Sequence, residues 1–553
     1  MNNLLKHGAT GSSALEQFLL AASLLIFCFT ANGQTVSVAQ NKTDPQTNAS
    51  ETRPNDETES RVKQLETEVQ AMRAELDALK KLLLQQQAAQ NLVKAELQTS
   101  ETVAVKTEDK TTEAVKTETK ETIKTEPKQQ TPQKQLGVDL GGVRVTPYGT
   151  IYFNAFNNTG STNNQDVPLF ATPPTGGQFV LGGQFVQSGA SASVRQTRLG
   201  LRFEGARIGN ARLGGVLEAD FFGGFPAVGI GENFGVVRIR LANAKLDWEK
   251  TSVTIGQDWM PFAPVNPTSI AAAAIPQLAA AGNPWARLPQ VRVDHKITDK
   301  ITLTGAILAP QTGDHPPFTF FLQPTSGAAS RIPFFQSRIA FAAKNWLGTK
   351  KNGAIGVSGH YGRSRSGVTI FLSGQNVTYE VDSFGLAVDW NFPLHARVSL
   401  AGEAFFGRNL GGFQAGVFQG LNTEFAYRKN DLDALAGIRG IGTRGGWTQL
   451  GFTPDVFKDR LTVYGSIGID DPRNEDLMSF FIFSNPRSRN LAYAFNAIYK
   501  FTSQFQIGAE FRRFETQYFA TGVRTNNHVN LGAARVYARC FQRPSNRLRF
   551  NRH

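Results

Sequence analysis

The chain has 553 residues, 41% of them hydrophobic, and 58 Lys and Arg against 45 Asp and Glu, for a formal net charge of +13. Its only cysteines, Cys28 and Cys540, exclude a small disulfide-stapled secreted domain. Beyond the N-terminal segment no run approaches the ~18 apolar residues of a membrane-spanning helix. That excludes a helical membrane protein but not a barrel, whose strands alternate apolar and polar residues and so keep mean hydropathy low.

Residues 1–33 read as a secretory signal peptide. Lys6 precedes an apolar run from Phe18 to Phe29, and Ala31-Asn32-Gly33 supplies small residues for cleavage. Cleavage there removes Cys28 and leaves one thiol. Residues 34–57 form a polar linker. Over 58–92 a heptad predicts an α-helical coiled coil: Val62, Val69, Leu76 and Leu83 hold one seam position, and Leu65, Met72 and Leu79 the other. Residues 93–136 are a Thr/Lys/Glu spacer in which Ala104-Val105-Lys106-Thr107-Glu108 returns as Ala114-Val115-Lys116-Thr117-Glu118. So few bulky apolar residues bury no core, and the segment reads as disordered.

From 137 to 541 glycine, aromatics and two-residue alternation take over. Runs such as 143–156, 193–204, 211–222, 236–248, 289–297, 300–309, 334–344, 378–390, 395–407, 460–470, 490–501 and 504–515 match the length of a tilted bilayer-crossing strand. Connectors alternate between short (205–210, 249–250, 298–299, 391–394, 454–459, 502–503) and long (157–192, 223–235, 260–288, 310–333, 362–377, 471–489). The expected fold is all-β: a transmembrane antiparallel β-barrel of about 16–18 strands, preceded by the coiled coil. Tight turns face the periplasm, which puts the coiled coil there and the barrel in the outer membrane. The basic tail 542–553 follows the last strand, where outer-membrane barrels usually end on an aromatic residue.

Alternation assigns the faces. With Leu199, Leu201 and Phe203 toward lipid, Arg198, Arg202 and Glu204 face the lumen. With Val237, Ile239 and Leu241 toward lipid, Arg238 and Arg240 face inward, and so by the same parity do Arg212, Glu218, Asp220, Arg292, Asp294, Arg338 and Arg512. A charge on the lipid face near the midplane costs about 2–4 kcal/mol, which supports this choice. Charge is also segregated along the chain. Residues 1–135 carry 16 basic and 18 acidic side chains, leaving 42 basic and 27 acidic for 136–553, and 32 of those 42 are Arg. Arg stays charged and presents a planar fork to carboxylate and phosphate. Inward arginines therefore point to small anionic solutes as partners, or else to ion pairs that stiffen the wall. Nucleic acid fits an exported chain poorly. Loop 260–288, rich in Pro and Ala, is expected to fold into the lumen and narrow it.

A strand ending Gly256-Gln257-Asp258-Trp259, a Pro-rich loop, and a strand opening Arg287-Leu288-Pro289-Gln290-Val291-Arg292 resemble the DcaP-like family of trimeric outer-membrane porins, as does a coiled coil ahead of the barrel. The resemblance implies homotrimers, uptake of small organic anions, and roles for Gln257, Trp259, Arg287, Gln290 and Arg292. The sequence thus predicts a passive diffusion channel whose path is lined by Arg198, Arg202, Arg238, Arg240, Gln257, Trp259, Arg287, Gln290, Arg292 and Arg338. The alternative is a structural anchor tying the outer membrane to the cell wall. The barrel histidines His295, His315, His360, His395 and His528 form no Ser/His/acid or metal-ligand constellation, so neither an enzyme nor a cofactor is expected.

Overall fold

A computed structural model of the chain describes residues 137–173, 188–224, 235–314, 324–369, 376–425, 437–478 and 485–538. The signal peptide, linker, coiled coil, spacer and basic tail expected from the sequence lie outside the described residues.

The first strands are β1 (Val138–Leu140), β2 (Val143–Asn158), β3 (Gly189–Ser193), β4 (Arg198–Ile208), β5 (Ala211–Asp220), β6 (Arg238–Asp247) and β7 (Thr251–Trp259). There follow β8 (Arg287–Lys296), β9 (Ile301–Leu308), β10 (Phe334–Ala343), β11 (Gly353–Thr369), β12 (Asn376–His395) and β13 (Val398–Arg408). The chain ends with β14 (Leu421–Phe425), β15 (Gly437–Gly440), β16 (Gly442–Phe452), β17 (Leu461–Pro472), β18 (Arg487–Lys500), β19 (Phe505–Tyr518) and β20 (Gly522–Ala538).

Antiparallel neighbours pair all the way round. The ring closes where β2 meets β20, with Asn154 opposite Gly532 and Phe156 opposite Asn530. β3 and β4 both pair with β2 and form one wall strand interrupted at 194–197. β1 pairs with the foot of β2, and β14–β15 is a separate hairpin. The wall is thus a closed barrel of 16 strands, which leaves no free sheet edge and pairs the strand backbones with one another except at a seam between β6 and β7.

Alternation explains the wall. In β18, Tyr493 and Phe495 are exposed outward while Ala492 and Ala494 are buried within. In β4, Leu199 and Leu201 face out. Short turns such as 209–210, 248–250, 396–397 and 501–504 share one rim, and the long connections leave the other.

Several boundaries differ from the sequence reading. The stretch 362–377 is mostly strand, because the exposed ends of β11 and β12 keep pairing from Gly362↔Ser383 to Thr369↔Asn376. The turn expected at 391–394 falls at 396–397, since a bulge carries β12 through Pro393 to His395. Another bulge, where Glu218 pairs Leu241 and Ala219 pairs Ile239, shifts the parity of β6 and puts Ala242, rather than Leu241, on the face of Leu217.

Candidate solute path and its inner loop

Three connecting segments (159–173, 260–286 and 409–418) turn into the barrel and pack on one another. Met260, Phe262, Leu288, Phe334, Phe405, Leu410 and Phe413 form one buried apolar cluster. Val167, Phe170, Ala272, Ala274, Ile275, Trp285 and Val417 form a second, and Leu278, Ala281, Trp447 and Phe514 belong to a third. Burying these side chains is what holds polar-faced strands against loop backbone.

The loop 260–286 travels around the inner wall. Phe262 N–H donates to Gln336 Oε1 on β10 (3.1 Å) and Ala263 N–H to Ser358 Oγ on β11 (3.1 Å). Val265 N–H donates to Glu403 Oε1 on β13 (2.5 Å), and Thr268 N–H to Gln449 Oε1 on β16 (2.8 Å). Ser269 Oγ donates to Glu510 Oε2 on β19 (2.6 Å). The loop then meets Gln196, in the interruption between β3 and β4. Gln196 Nε2 donates to Ala271 O, and its Oε1 accepts from Ala273 and Ala274 N–H, each at 2.8 Å. The return leg lies so close to β16 that only Gly282 fits: its φ is +103°, and a Cβ there would collide with the Gly446 carbonyl. Ala263, Leu278 and Ala280 in this loop also have positive φ, a strained conformation for residues with a Cβ that persists only where surrounding contacts over-determine it.

Where the loop apex meets β4, β6 and β8, arginines converge. Ala274 O accepts from Arg238 Nη2 (2.9 Å), Arg240 Nη1 (3.3 Å) and Arg287 Nη2 (3.0 Å), and Ala273 O accepts from Arg198 Nη2 (3.0 Å). Two buried carboxylates offset part of this charge. Asp220 pairs with Arg238 (2.7 Å) and Arg240 (2.8 Å), and Glu218 with Arg240 (2.7 Å) and Arg198 (3.5 Å). Arg287 has no carboxylate partner among the described residues. Its guanidinium lies over the rings of Trp259 (4.8 Å) and Trp285 (5.0 Å), and its Nη1 is buried without a hydrogen bond.

The other residues expected on the path are placed differently. Arg292 pairs with Asp294 (3.1 Å) and Asp258 (3.4 Å) and donates to Trp259 O (3.3 Å), as a strut at the root of the loop. Gln290 Nε2 donates to Asp258 O and Trp259 O. Gln257 shares the face of Ile255 and donates to Ile239 O (2.9 Å) and Arg240 O (3.1 Å), bridging a seam where β6 and β7 no longer pair. Its expected place on the path is therefore replaced by a place in the wall, because the bulge in β6 leaves those two carbonyls without a strand partner. Arg202 lies over Tyr148 (5.6 Å) and near Glu204 (3.9 Å). Arg338 is paired bidentately with Asp389 on β12, two strands along the same wall and away from the loop apex.

Sequence reasoning missed Gln196, although Arg195-Gln196 breaks the alternation of its run and so marks the bulge that turns both side chains inward. It also missed Arg195, which grips Asp166 of segment 159–173 at 2.6 Å. Among the described residues, no group of His, Cys, Asp and Glu is placed to hold a metal. His360 lies inside the barrel on β11, against the inner segments 260–286 and 409–418. It meets Ser383 Oγ (3.0 Å) and the rings of Phe334 and Phe413, with no carboxylate completing a triad.

No protein-family profile matches the chain, and no curated protein matches it. Solved structures do. The outer membrane channel DcaP of Acinetobacter baumannii superposes with a TM-score of 0.52 at 17% identity, over 72% of this chain and 99% of that one. An anion-selective porin from Comamonas acidovorans gives 0.41 at 12%, over 71% and 100%. Salmonella typhi OmpF gives 0.45 at 12%, over 73% and 100%. The chain therefore has the fold of a DcaP-like outer-membrane porin.

Proposed function

We propose that the protein is an outer-membrane diffusion channel that favours small anionic, carboxylate-bearing solutes. One observation carries the anion preference: Arg198, Arg238, Arg240 and Arg287 meet only Glu218 and Asp220 at the loop apex, a surplus of two positive charges. Attraction there exceeds that in a wide vestibule, where charge is screened within about 8 Å at physiological salt. The short-turn rim is then periplasmic and the long connections extracellular.

Reversal potentials in planar bilayers test this. Wild type should prefer anions, and Arg287→Gln should shift the potential toward cations, more at low salt. Arg292→Gln should shift it less, because Asp258 and Asp294 already neutralise Arg292. No anion preference in wild type would reject the reading.

We also propose that the channel is a homotrimer joined through β5–β9, the number three resting on the DcaP-like resemblance. These strands have only 8 to 10 residues, against 17 in β11 and 20 in β12. Their exposed large apolar residues are Leu217, Ile239, Ile255, Val291, Val293, Leu303 and Ile307, none aromatic. The remaining wall carries Phe335, Tyr361, Phe384, Phe406, Tyr493, Phe495 and Phe511. Aromatics concentrate where a wall meets the lipid interface, and the β6–β7 seam is backbone that lipid cannot satisfy. Cross-linking in mild detergent should capture trimers through cysteines placed at Ile255 or Val291 and not at Phe406. A monomer mass would reject the assembly.

A further inference from the structure

The arginine cage at the loop apex is over-supplied for what it holds. Three guanidiniums converge on one neutral carbonyl oxygen, Ala274 O, which has two lone pairs, and a fourth holds Ala273 O. Four positive charges stand against the two carboxylates of Glu218 and Asp220. Arg287 Nη1 is buried with no acceptor, a shortfall that calls for a missing partner. A charged oxygen accepts roughly twice as strongly from a guanidinium as a neutral carbonyl does.

We infer that the Ala273 and Ala274 carbonyls occupy the place of a small oxyanion's oxygens, so that the chain is a ligand of its own anion site and a solute oxyanion displaces the loop apex from it. The inference rests on the anion-channel reading above. The apex is built for such exchange. Ala271 to Ala274 carry only methyl groups, so no bulky side chain anchors them. Opposing release is Gln196, 1% exposed, whose amide grips Ala271 O and the N–H groups of Ala273 and Ala274. Gln196 keeps the carbonyls aimed at the arginines and so competes with the solute without touching it. The surplus of two charges favours a divalent oxyanion over a monovalent one.

Calorimetric titration of detergent-solubilised protein tests this, with malonate as divalent probe, acetate as monovalent probe and tetramethylammonium as cation control. Malonate should bind more tightly than acetate, and tetramethylammonium not at all. Gln196→Leu removes three buried hydrogen bonds to the apex and should tighten malonate binding about 10-fold. Ala274→Gly, which frees the apex backbone and leaves Gln196 and the cage intact, should tighten it a few-fold and serves if Gln196→Leu does not fold into a heat-modifiable barrel. Unchanged or weaker malonate binding in the folded variants, with anion-favouring reversal potentials retained, overturns self-occupancy and leaves the channel reading standing. Loss of anion preference in wild-type bilayers overturns the channel reading instead.

Discussion

The two sides of the lumen hold the same loop with opposite chemistry. Along β13, β16 and β19 the wall offers acceptors: Glu403 takes Val265 N–H, Gln449 takes Thr268 N–H, and Glu510 takes Ser269 Oγ and Gln277 Nε2. Along β4, β6 and β8 it offers guanidiniums, which take the carbonyls of Ala273 and Ala274. A peptide backbone carries both donors and acceptors, and neutral amides on each wall serve the other kind: Gln449 and Asn496 donate to Thr268 O on the first side, and Gln196 accepts Ala273 and Ala274 N–H on the second. The difference lies in the spare capacity. On the acidic side Glu510 is balanced by Arg512 (3.1 Å), whereas the basic side sets four guanidiniums against two carboxylates. The first is suited to anchoring the loop and the second to exchanging it for a solute.

Breaking the basic side should have the larger structural effect. Arg240→Met leaves Glu218 and Asp220 buried with fewer partners. A loss of about 3 kcal/mol is expected, read as a lower temperature of heat-modified migration or of thermal unfolding in detergent. An unchanged transition would show that Arg198 and Arg238 suffice.

Breaking the acidic side comes next. Glu403 is fully buried and accepts from two donors, Val265 N–H through Oε1 and Trp447 Nε1 (3.3 Å) through Oε2. Gln in its place has one oxygen, so a donor is left facing an NH2 group, at a cost of about 1–2 kcal/mol. Reversal potential should stay near that of wild type, in contrast with Arg287→Gln. A selectivity shift as large as that of Arg287→Gln would mean that the two sides share one field and that the division of labour is false.

Gln257→Leu should have the smallest effect. It strips Ile239 O and Arg240 O of their donor on the wall, about 1 kcal/mol, and leaves conduction unchanged. A conductance change would return Gln257 to the solute path.

Most of the wall was legible in the residues. A strand's side chains repeat every two positions, so Leu199, Leu201, Tyr493 and Phe495 announce their face locally, and inward parity for Arg198, Arg240 and Arg338 follows from their neighbours. Bulges were harder to read: one extra residue near Arg240 reverses the parity beyond it, and nothing in Leu241-Ala242 signals that. The site was legible only as a set of inward arginines. Arg198 and Arg238 read alike in the sequence with Arg202 and Arg338, and Arg287 entered through the family resemblance, yet three meet one loop apex and two pair elsewhere.

Local chemistry thus determined the strands, their faces and the small-residue loop, because each depends on neighbours a few positions away. Which arginines share a carbonyl, and which are spent on Asp389 or Glu204, was decided by closure of β2 on β20 and by the route of the loop past Gln196. Those distances are set between residues far apart in the chain, where barrel geometry acts and local periodicity does not.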